Sequence, residues 1–384
     1  MITSLRDLFL LDPDVVFLNH GSFGATPRTV FDVYQEWQRR LEWQPVQFLG
    51  VELGGYLAEA RAALGRTVNA PADDLVYVPN ATYAVNAVAR SLALGPGDEV
   101  LTTDHEYGAC DNVWRFLSGK RGFEVVRQPI PLGLTAGEMT EALWQGVTPR
   151  TKVIFMSHIT SPTALRLPVE TICARAREAG ILTVIDAAHA VGQLPLDLTA
   201  LGADFYTSNA HKWLCAPKGS AFLYARPEVQ PLIEPLIVSW GWGEGRALTF
   251  GSDFLDAFQW PGTADFAAFL SVPAATRFQE EHDWPAVRRA CHALVTEAIT
   301  CIGEVTGLPG VYAGDDLYAQ MAIAPLPPVD DLPAFKARLY HDYRVEIPCT
   351  LWNGRPFIRV SIQGYNSESD VDVLIRALRS ILRQ

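Results

Sequence analysis

The sequence has few cysteines, and no two of them stand in a C-x-x-C spacing. Its six cysteines are scattered along 384 residues. Zinc sites and thioredoxin-like redox motifs need closely spaced thiols, so the pattern excludes both. We therefore expect free, buried thiols in a reducing cytoplasm, with neither a disulfide framework nor a metal site.

Long apolar runs are missing too, although 49% of the residues are hydrophobic. No run approaches the roughly 20 apolar residues of a transmembrane helix. The N-terminal stretch from Met1 to Asp14 contains acidic residues, whereas a secretory signal has an apolar centre. We expect neither a membrane span nor a signal peptide.

The sequence has fewer basic than acidic residues. The chain has 31 Lys and Arg against 43 Asp and Glu, which gives a formal net charge of −12. An acidic surface repels nucleic acid and anionic lipid, so neither is an expected partner. A small anionic substrate remains possible, because a pocket can be basic on an acidic protein.

What the sequence does contain is two apolar, β-branched runs that each end on polar residues. Ile181–Ile185 precedes Asp186, and Asp204–Thr207 precedes Asn209–Lys212. Such runs are typical of buried parallel strands, and open α/β sheets bind ligands beyond the carboxyl ends of their strands. Pyridoxal 5′-phosphate (PLP) needs a Schiff-base lysine and a carboxylate at its ring nitrogen. A turn-capping aspartate and a surface lysine are the alternatives for each residue alone, but the pair with its neighbouring histidines favours a cofactor site.

A second candidate element follows the predicted strand Leu75–Val78. The turn Pro79–Thr82 leads into a predicted helix, and a helix N-terminus attracts anions through its free N–H groups and its dipole. Thr82 either caps this helix or donates to a phosphate, and both can hold. The turn has none of the glycines of a P-loop or of G-x-G-x-x-G, so a nucleotide is not predicted.

The stretches Asp186–Gly192 and Asn209–Leu214 resemble the signatures of class V aminotransferases, which are fold-type I PLP enzymes. Within that family the isopenicillin N epimerase-like proteins are most similar, and the likeness extends from about Phe17 to about Asn366. It implies an α/β fold of the fold-type I PLP-transferase class. A large domain (residues 16–271) would hold a mostly parallel seven-stranded sheet between helices. A smaller α+β domain would comprise residues 1–15 and 272–384, beginning its C-terminal part with one long helix from Thr276 to Ile302.

The resemblance also implies roles for individual residues. The expected catalytic residues are Lys212 as Schiff-base lysine, Asp186 at the ring nitrogen and His189 at the phenolate oxygen. The other expected cofactor contacts are Ala81, Thr82, Asn209 and His211 at the phosphate, Tyr107 stacked on the ring, and Thr263 reaching the phosphate of a neighbouring subunit. The expected substrate contacts are Asn19, His20, Ser22 and Arg359.

Several of these assignments have alternatives in the sequence. His105 competes with Tyr107 for the stacking position. His20 can be a structural histidine, and Thr263 can belong to a simple turn. Arg359 lies among apolar residues, so it either faces inward to bind the substrate carboxylate or is an edge charge.

The resemblance implies an enzyme that acts at the α-carbon of an amino acid and is most like an amino-acid epimerase. The alternatives are a cysteine desulfurase or C–S lyase, an aminotransferase, and a non-enzymatic binding protein that has kept the fold. Cys349 lies where some desulfurases carry their thiol, but their glycine-histidine loop is absent, so we expect it to be non-catalytic. The shared active site of the family implies a homodimer.

Overall fold

The computed structural model describes residues 5–382. The ends of the predicted small domain, residues 1–4 and 383–384, lie outside this description. The strands are β1 Val16–Phe17, β2 Leu75–Val78, β3 Glu99–Thr103, β4 Glu124–Gln128, β5 Thr151–Ser157, β6 Leu182–Asp186, β7 Phe205–Ser208, β8 Ala221–Ala225, β9 Met321–Pro325, β10 Val345–Glu346, β11 Cys349–Trp352 and β12 Arg355–Ser361. The helices are α1 His20–Phe23, α2 Arg28–Trp43, α3 Pro45–Gln47, α4 Leu53–Val68, α5 Ala81–Ser91, α6 Gly108–Arg121, α7 Ala136–Trp144, α8 Val169–Glu178, α9 Leu198–Leu201, α10 Asp253–Gln259, α11 Ala267–Leu270, α12 Val272–Glu281, α13 Trp284–Thr306, α14 Leu332–Tyr343 and α15 Glu368–Leu382.

A seven-stranded sheet forms the centre of the larger part, in the order β2-β8-β7-β6-β5-β3-β4. Only β8 runs against its two neighbours, and the other ladders are parallel. The carboxyl ends of β2, β3, β5, β6 and β7 therefore meet at one edge. The register places Ser157 beside Asp186, and Asp186 beside Thr207.

Both faces of this sheet are buried, as expected for parallel strands covered by helices. Along β6, Val184 packs into the apolar core on one face and Ile185 into the core on the other. The same alternation occurs in β5, where Phe155 and Met156 face opposite cores. The predicted α/β fold class is confirmed.

A smaller antiparallel sheet, β11-β12-β9, lies in the C-terminal part. The N-terminal segment joins this part, because Leu5 donates its N–H to the carbonyl of Gly364 and β1 pairs with β10. Arg359 lies in β12, opposite Ile323 of β9.

The single long helix predicted from Thr276 to Ile302 is wrong. The chain breaks between α12 and α13, where Asp283 has a φ of 44° and its carboxylate accepts a hydrogen bond from the N–H of Ala286. Pro285 stands in the first turn of α13, where its missing N–H costs nothing. An aspartate with a proline two residues later is a helix start signal, and the apolar spacing alone does not reveal it.

Within the described range, every helix is too short or too polar to span a membrane.

Candidate active site

The carboxyl edge of the large sheet opens into a cavity of about 510 Å³. Its walls come from the turns after β2, β3, β5, β6 and β7, as expected for open α/β sheets. The predicted site residues that line it are Ser22, Ala81, Thr82, Tyr107, Asp186, His189, Asn209, His211 and Lys212.

The glycine-rich turn after β1 lies against the segment that carries Lys212. Gly24 has a φ of 70°, and a Cβ there would be 2.1 Å from the carbonyl oxygen of His211 and 2.9 Å from Cα of Lys212. Any side chain would push these two segments apart. Gly24 is therefore a packing requirement of the site.

Asp186 ends β6 and is nearly inaccessible to solvent, with 3% of its surface exposed. Its Oδ1 accepts a hydrogen bond from the N–H of Ala188 at 3.0 Å. Burial raises the pKa of Asp186, and this hydrogen bond and the charge of Lys212 only partly oppose the shift. Within residues 5–382 no cation lies within 4.0 Å of this carboxylate, which leaves it available to a positively charged ligand.

Lys212 follows β7 and points into the cavity. Burial, and after it the positive charge of Arg359, lower its pKa to about 8, while Asp186 acts in the opposite direction. About a tenth of this amine is therefore unprotonated at pH 7, far more than for an ordinary lysine, and a nucleophilic amine must be unprotonated.

His189 stands beside Lys212, with 3.3 Å between Nε2 of the ring and Nζ of the lysine. Its other nitrogen, Nδ1, accepts a hydrogen bond from the indole N–H of Trp213 at 3.2 Å. Burial lowers the pKa of His189 well below its usual range, followed by the charges of Lys212 and Arg359. Sequence reasoning did not include Trp213, although it follows Lys212 directly and is an obvious donor.

The N-terminus of α5 forms another wall. Asn80 caps the helix by accepting from the N–H of Tyr83, so Thr82 is free of the capping role. Asn209 does not face the cavity with its carbonyl oxygen, which accepts the N–H of Ala81 at 2.9 Å. This contact ties the turn after β7 to the start of α5.

His211 lies beside this wall. Its Nδ1 lies 3.0 Å from the carbonyl oxygen of Ser220 and must donate to it, because a carbonyl only accepts. Burial lowers the pKa of His211 to about 4. A phosphate next to it would raise that pKa, because a nearby anion favours the charged imidazolium.

Of the two residues that competed for the stacking position, Tyr107 lines the cavity and half of its surface is exposed. His105 is fully buried outside the cavity. Its Nδ1 lies 2.7 Å from Oγ1 of Thr163, its Nε2 lies 2.6 Å from the carbonyl oxygen of Ile130, and its ring packs on Trp352. The geometry thus leaves Tyr107 accessible to a ligand and His105 inaccessible.

Arg359, in β12, is 5% exposed and lies behind the residues that line the cavity. Its guanidinium donates to the carbonyl oxygen of Ser161 and to Oγ of Ser22, and both of these residues line the cavity. In the described part of the chain it has no carboxylate partner, and burial lowers its pKa to about 10. A buried guanidinium that contacts two residues of the cavity wall and has no acidic partner in the described chain suits a carboxylate ligand.

Three further predicted residues also lie outside the cavity lining. Asn19 donates to Oε1 of Glu346 at 2.8 Å, and Thr263 lines a separate surface groove. The His20 ring is fully buried, with Nδ1 2.9 Å from the hydroxyl of Tyr365 and Nε2 2.9 Å from the carbonyl oxygen of Lys212. His20 therefore supports the backbone of Lys212 and does not face a substrate.

A half-buried carboxyl that sequence reasoning missed lies just behind the cavity. Glu106 accepts from the hydroxyls of Thr103 and Ser157, both at 2.6 Å, and Ser157 lines the cavity. Burial raises the pKa of Glu106 to about 7. Its only sequence signal is its place after β3, beside Tyr107.

The donor set of this cavity fits PLP. Asp186 offers a buried carboxylate for a pyridinium nitrogen, and Lys212 offers an amine for an aldehyde. The start of α5 offers the positive end of the helix dipole, with the hydroxyl of Thr82, for a phosphate. Asp186, Lys212 and the start of α5 line the same cavity at the carboxyl edge of the sheet. One ligand that carries a ring nitrogen, an aldehyde and a phosphate could therefore contact all three.

Comparison with known proteins extends these observations. Residues 16–313 match the aminotransferase class-V family. The chain is 36% identical to the isopenicillin N epimerase of Amycolatopsis lactamdurans, and the alignment covers 98% of this chain and 97% of that protein. It is 34% identical to the isopenicillin N epimerase of Streptomyces clavuligerus, with the same coverage of both chains. A putative L-cysteine desulfhydrase of Oryza sativa is 30% identical, over 96% of this chain and 83% of that protein.

Solved structures share the fold. A mutant of C-DES with glycine covalently linked to its PLP cofactor superposes with a TM-score of 0.86 at 20% identity, over 98% of this chain and 99% of that one. The cysteine desulfurase CsdA of Escherichia coli gives a TM-score of 0.81 at 23% identity, over 99% and 98% of the two chains. The expected fold-type I architecture is confirmed, and with the family match so is the expected cofactor, PLP. This chain is an enzyme of the class V aminotransferase family.

Proposed function

We propose that this enzyme epimerises an amino acid at its α-carbon, with PLP held on Lys212. The observation that carries the proposal is the identity of 36% and 34% to two isopenicillin N epimerases over 98% of the chain. The substrate class is an α-amino acid, and the buried guanidinium of Arg359, which contacts Ser22 and Ser161 of the cavity wall, supports this choice.

Bound PLP supplies an electron sink for the negative charge that develops at the α-carbon. Asp186 holds a proton on the ring nitrogen, which keeps that sink effective. The buried Asp186 is suited to this role because no cation of residues 5–382 lies within 4.0 Å of its carboxylate. Replacing a carboxylate by an amide there removes the charge without changing the shape.

Lys212 has two roles in the proposal. It holds the cofactor before the substrate arrives, and once free it takes the α-proton as a general base. Its pKa of about 8 supports the second role, because a base works best when its pKa is near the working pH.

Arg359 binds the α-carboxylate and so fixes which bond at the α-carbon faces Lys212. Ser22 and Ser161 hold the guanidinium in place through its remaining N–H groups. Thr82, His211 and the first turn of α5 bind the phosphate, and Tyr107 covers one face of the ring.

A C–S lyase is the second candidate, because desulfhydrase-named relatives are 29–30% identical over 96–97% of the chain. A desulfurase that uses Cys349 is disfavoured. This residue lies in β11 outside the cavity lining, and burial raises its pKa to about 12, so it is a poor nucleophile at neutral pH. Cys349→Ala is expected to leave turnover unchanged.

The cofactor assignment is tested by reduction with borohydride in the presence of PLP, followed by peptide mass spectrometry. We expect the label on Lys212, and Lys218 provides an internal control because it lies six residues away and is not in the cavity lining. A label on any other lysine would refute the assignment.

The reaction is tested with a panel of amino acids in heavy water, in which α-proton exchange, keto-acid release and sulfide release are followed in parallel. Exchange with inversion and without the other two products supports epimerisation. Sulfide indicates a C–S lyase, and keto acid without sulfide or ammonia indicates aminotransfer. No exchange and no binding of PLP would point to a binding protein that has kept the fold.

The proposal includes a homodimer in the cytoplasm. Exposed apolar residues surround a surface groove of about 450 Å³ that contains Thr263, and Trp240 and Val46 line it. Light scattering should show Trp240→Glu as a monomer and Leu351→Glu, a control at another exposed apolar site, as a dimer. All six cysteines are free thiols, which suits a reducing compartment and can be checked by imaging of the tagged protein.

A further inference from the structure

The imidazole of His189 has a partner at each ring nitrogen. Trp213 donates its indole N–H to Nδ1 at 3.2 Å, and Nζ of Lys212 lies 3.3 Å from Nε2. His189 is 2% exposed and Trp213 is fully buried, so water does not compete at Nδ1.

The indole fixes where the proton of His189 lies. An indole nitrogen is a donor only, so Nδ1 must offer its lone pair. A neutral imidazole carries a single proton, which then lies on Nε2 and points at the cavity. The lowered pKa of His189 supports a neutral ring.

We propose that Trp213 is a positioning residue that locks His189 in its Nε2–H tautomer, so that the ring presents a hydrogen-bond donor to Lys212 and to the ligand oxygen beside it. The part that concerns the ligand rests on the proposed function. The part that concerns the tautomer rests only on the protein.

The position of the indole is itself fixed by packing. The His20 ring lies 4.8 Å from the Trp213 ring, and Gln279 donates to the Trp213 carbonyl oxygen at 2.9 Å. A Cβ at Gly21 would lie 3.5 Å from Cζ2 of Trp213, and 2.6 Å from Sδ of Met321. The indole therefore cannot turn away from Nδ1 without repacking its surroundings.

The tautomer of His189 affects the protonation of Lys212. A donor at Nε2 can bond to the lone pair of neutral Lys212 but opposes an ammonium group. If the lock is lost, the proton of His189 can move to Nδ1, and the freed Nε2 lone pair can accept from the ammonium. Loss of the lock therefore stabilises the charged form of Lys212.

Trp213→Phe removes the indole N–H and keeps a large aromatic ring. We expect the pKa of Lys212 in the cofactor-free protein to rise by about one unit, the size of one hydrogen bond to a charged group. The pKa is measured from the pH dependence of acetic anhydride labelling of Lys212. Trp284→Phe is the matched control, because it removes a buried indole N–H that donates to the Gly192 carbonyl outside the cavity.

A second pair of variants isolates the tautomer. In a His189→Gln background no tautomer exists, so Trp213→Phe should leave the pKa of Lys212 unchanged there. The proposal is overturned if Trp213→Phe shifts this pKa equally in both backgrounds or in neither, or if Trp284→Phe produces the same shift.

Nitrogen NMR of the wild-type protein labelled with ¹⁵N-histidine reads the tautomer directly. The resonance of His189 is assigned as the one that is missing from the spectrum of His189→Gln. We expect a proton on Nε2 and a bare Nδ1 at neutral pH, and a proton on Nδ1 would refute the lock. Borohydride labelling of Lys212 is independent of this result, so failure of the lock and failure of the proposed function can be told apart.

Discussion

Replacing Arg359 should change stability and catalysis in opposite directions, and one substitution can test both. Arg359→Met keeps an unbranched side chain and removes the guanidinium. The guanidinium has no carboxylate partner within residues 5–382. Its loss should therefore raise the free energy of unfolding of the cofactor-free protein and lower kcat/KM.

The catalytic loss follows from the substrate's α-carboxylate. Leaving one member of a buried charge pair unpartnered costs about 2–5 kcal/mol. We therefore expect kcat/KM to fall by roughly 30- to 5000-fold, since about 1.4 kcal/mol corresponds to a factor of ten.

The gain in stability follows from the pKa of Arg359, which burial lowers from 12.5 to about 10. The folded state thus binds this proton less tightly than the unfolded chain does. This difference lowers the free energy of unfolding. The loss is fully present below pH 10 and disappears as the pH rises through 12.5. A difference of about 2.5 between the two pKa values corresponds to about 3 kcal/mol. In Arg359→Met the lost hydrogen bonds to Ser161 and Ser22 offset roughly half of these 3 kcal/mol. The free energy of unfolding should therefore rise by about 1–2 kcal/mol.

Urea unfolding of the cofactor-free protein measures the stability, and steady-state kinetics on the amino acid found by the panel measure the catalytic loss. Arg61→Met is the control for the kinetics. Arg61 is as deeply buried as Arg359, but it bonds to Gln259 outside the cavity lining. Its replacement should leave kcat/KM within about twofold.

Two results would refute this reasoning about Arg359. A kcat/KM within about threefold of the wild-type value would show that it does not bind the substrate carboxylate. A fall of about 2 kcal/mol or more in the free energy of unfolding would show that the guanidinium is a structural tie between Ser22 and Ser161. The pKa of Lys212 should also rise in Arg359→Met, because the charge of Arg359 is the second cause of its depression.

Further predictions concern pH and the backbone. Burial lowers the pKa of His158 from 6.5 to about 3, so the unfolded chain takes up a proton that the folded state refuses. The contribution of His158 to the free energy of unfolding is therefore lost as the pH falls from 6.5 towards 3. In this range His158→Gln should reduce the slope of the free energy of unfolding against pH, measured by urea unfolding, by about 1.4 kcal/mol per pH unit. An unchanged slope would contradict this prediction. Gly24→Ala should destabilise the protein by about 3 kcal/mol or more and weaken PLP binding. Gly180→Ala, at the same φ of 70° but in open space, should cost only about 1 kcal/mol, and equal losses in thermal unfolding would refute the close-approach argument.

Local patterns were enough to predict the scaffold of the site. The apolar run before Asp186 and the polar residues after it reflect one strand buried on both faces and ending at the ligand edge, a relation that depends only on nearby residues. The turn before α5 was readable for the same reason. The pairing of the adjacent strands β6 and β7 brings Lys212 and Asp186 into one cavity.

Spacing along the chain could not decide which way side chains turn. The sequence offered His20 as a substrate contact, but Tyr365 and the backbone of Lys212, 345 and 192 residues away, hold its ring inside the protein. The choice between His105 and Tyr107 also depended on distant partners, namely Thr163 and Trp352.

The sequence by itself determined the alternation of strands and helices, the lysine and carboxylate at their ends, and hence the class of cofactor, because each depends on hydrophobic periodicity and residue chemistry over short stretches. Only the tertiary structure decided that Trp213 donates to His189, that Arg359 has no acidic partner in the described chain, and that Cys349 lies outside the cavity. Those facts depend on packing between segments far apart in the chain, where the direction of each side chain follows from the space that its neighbours leave.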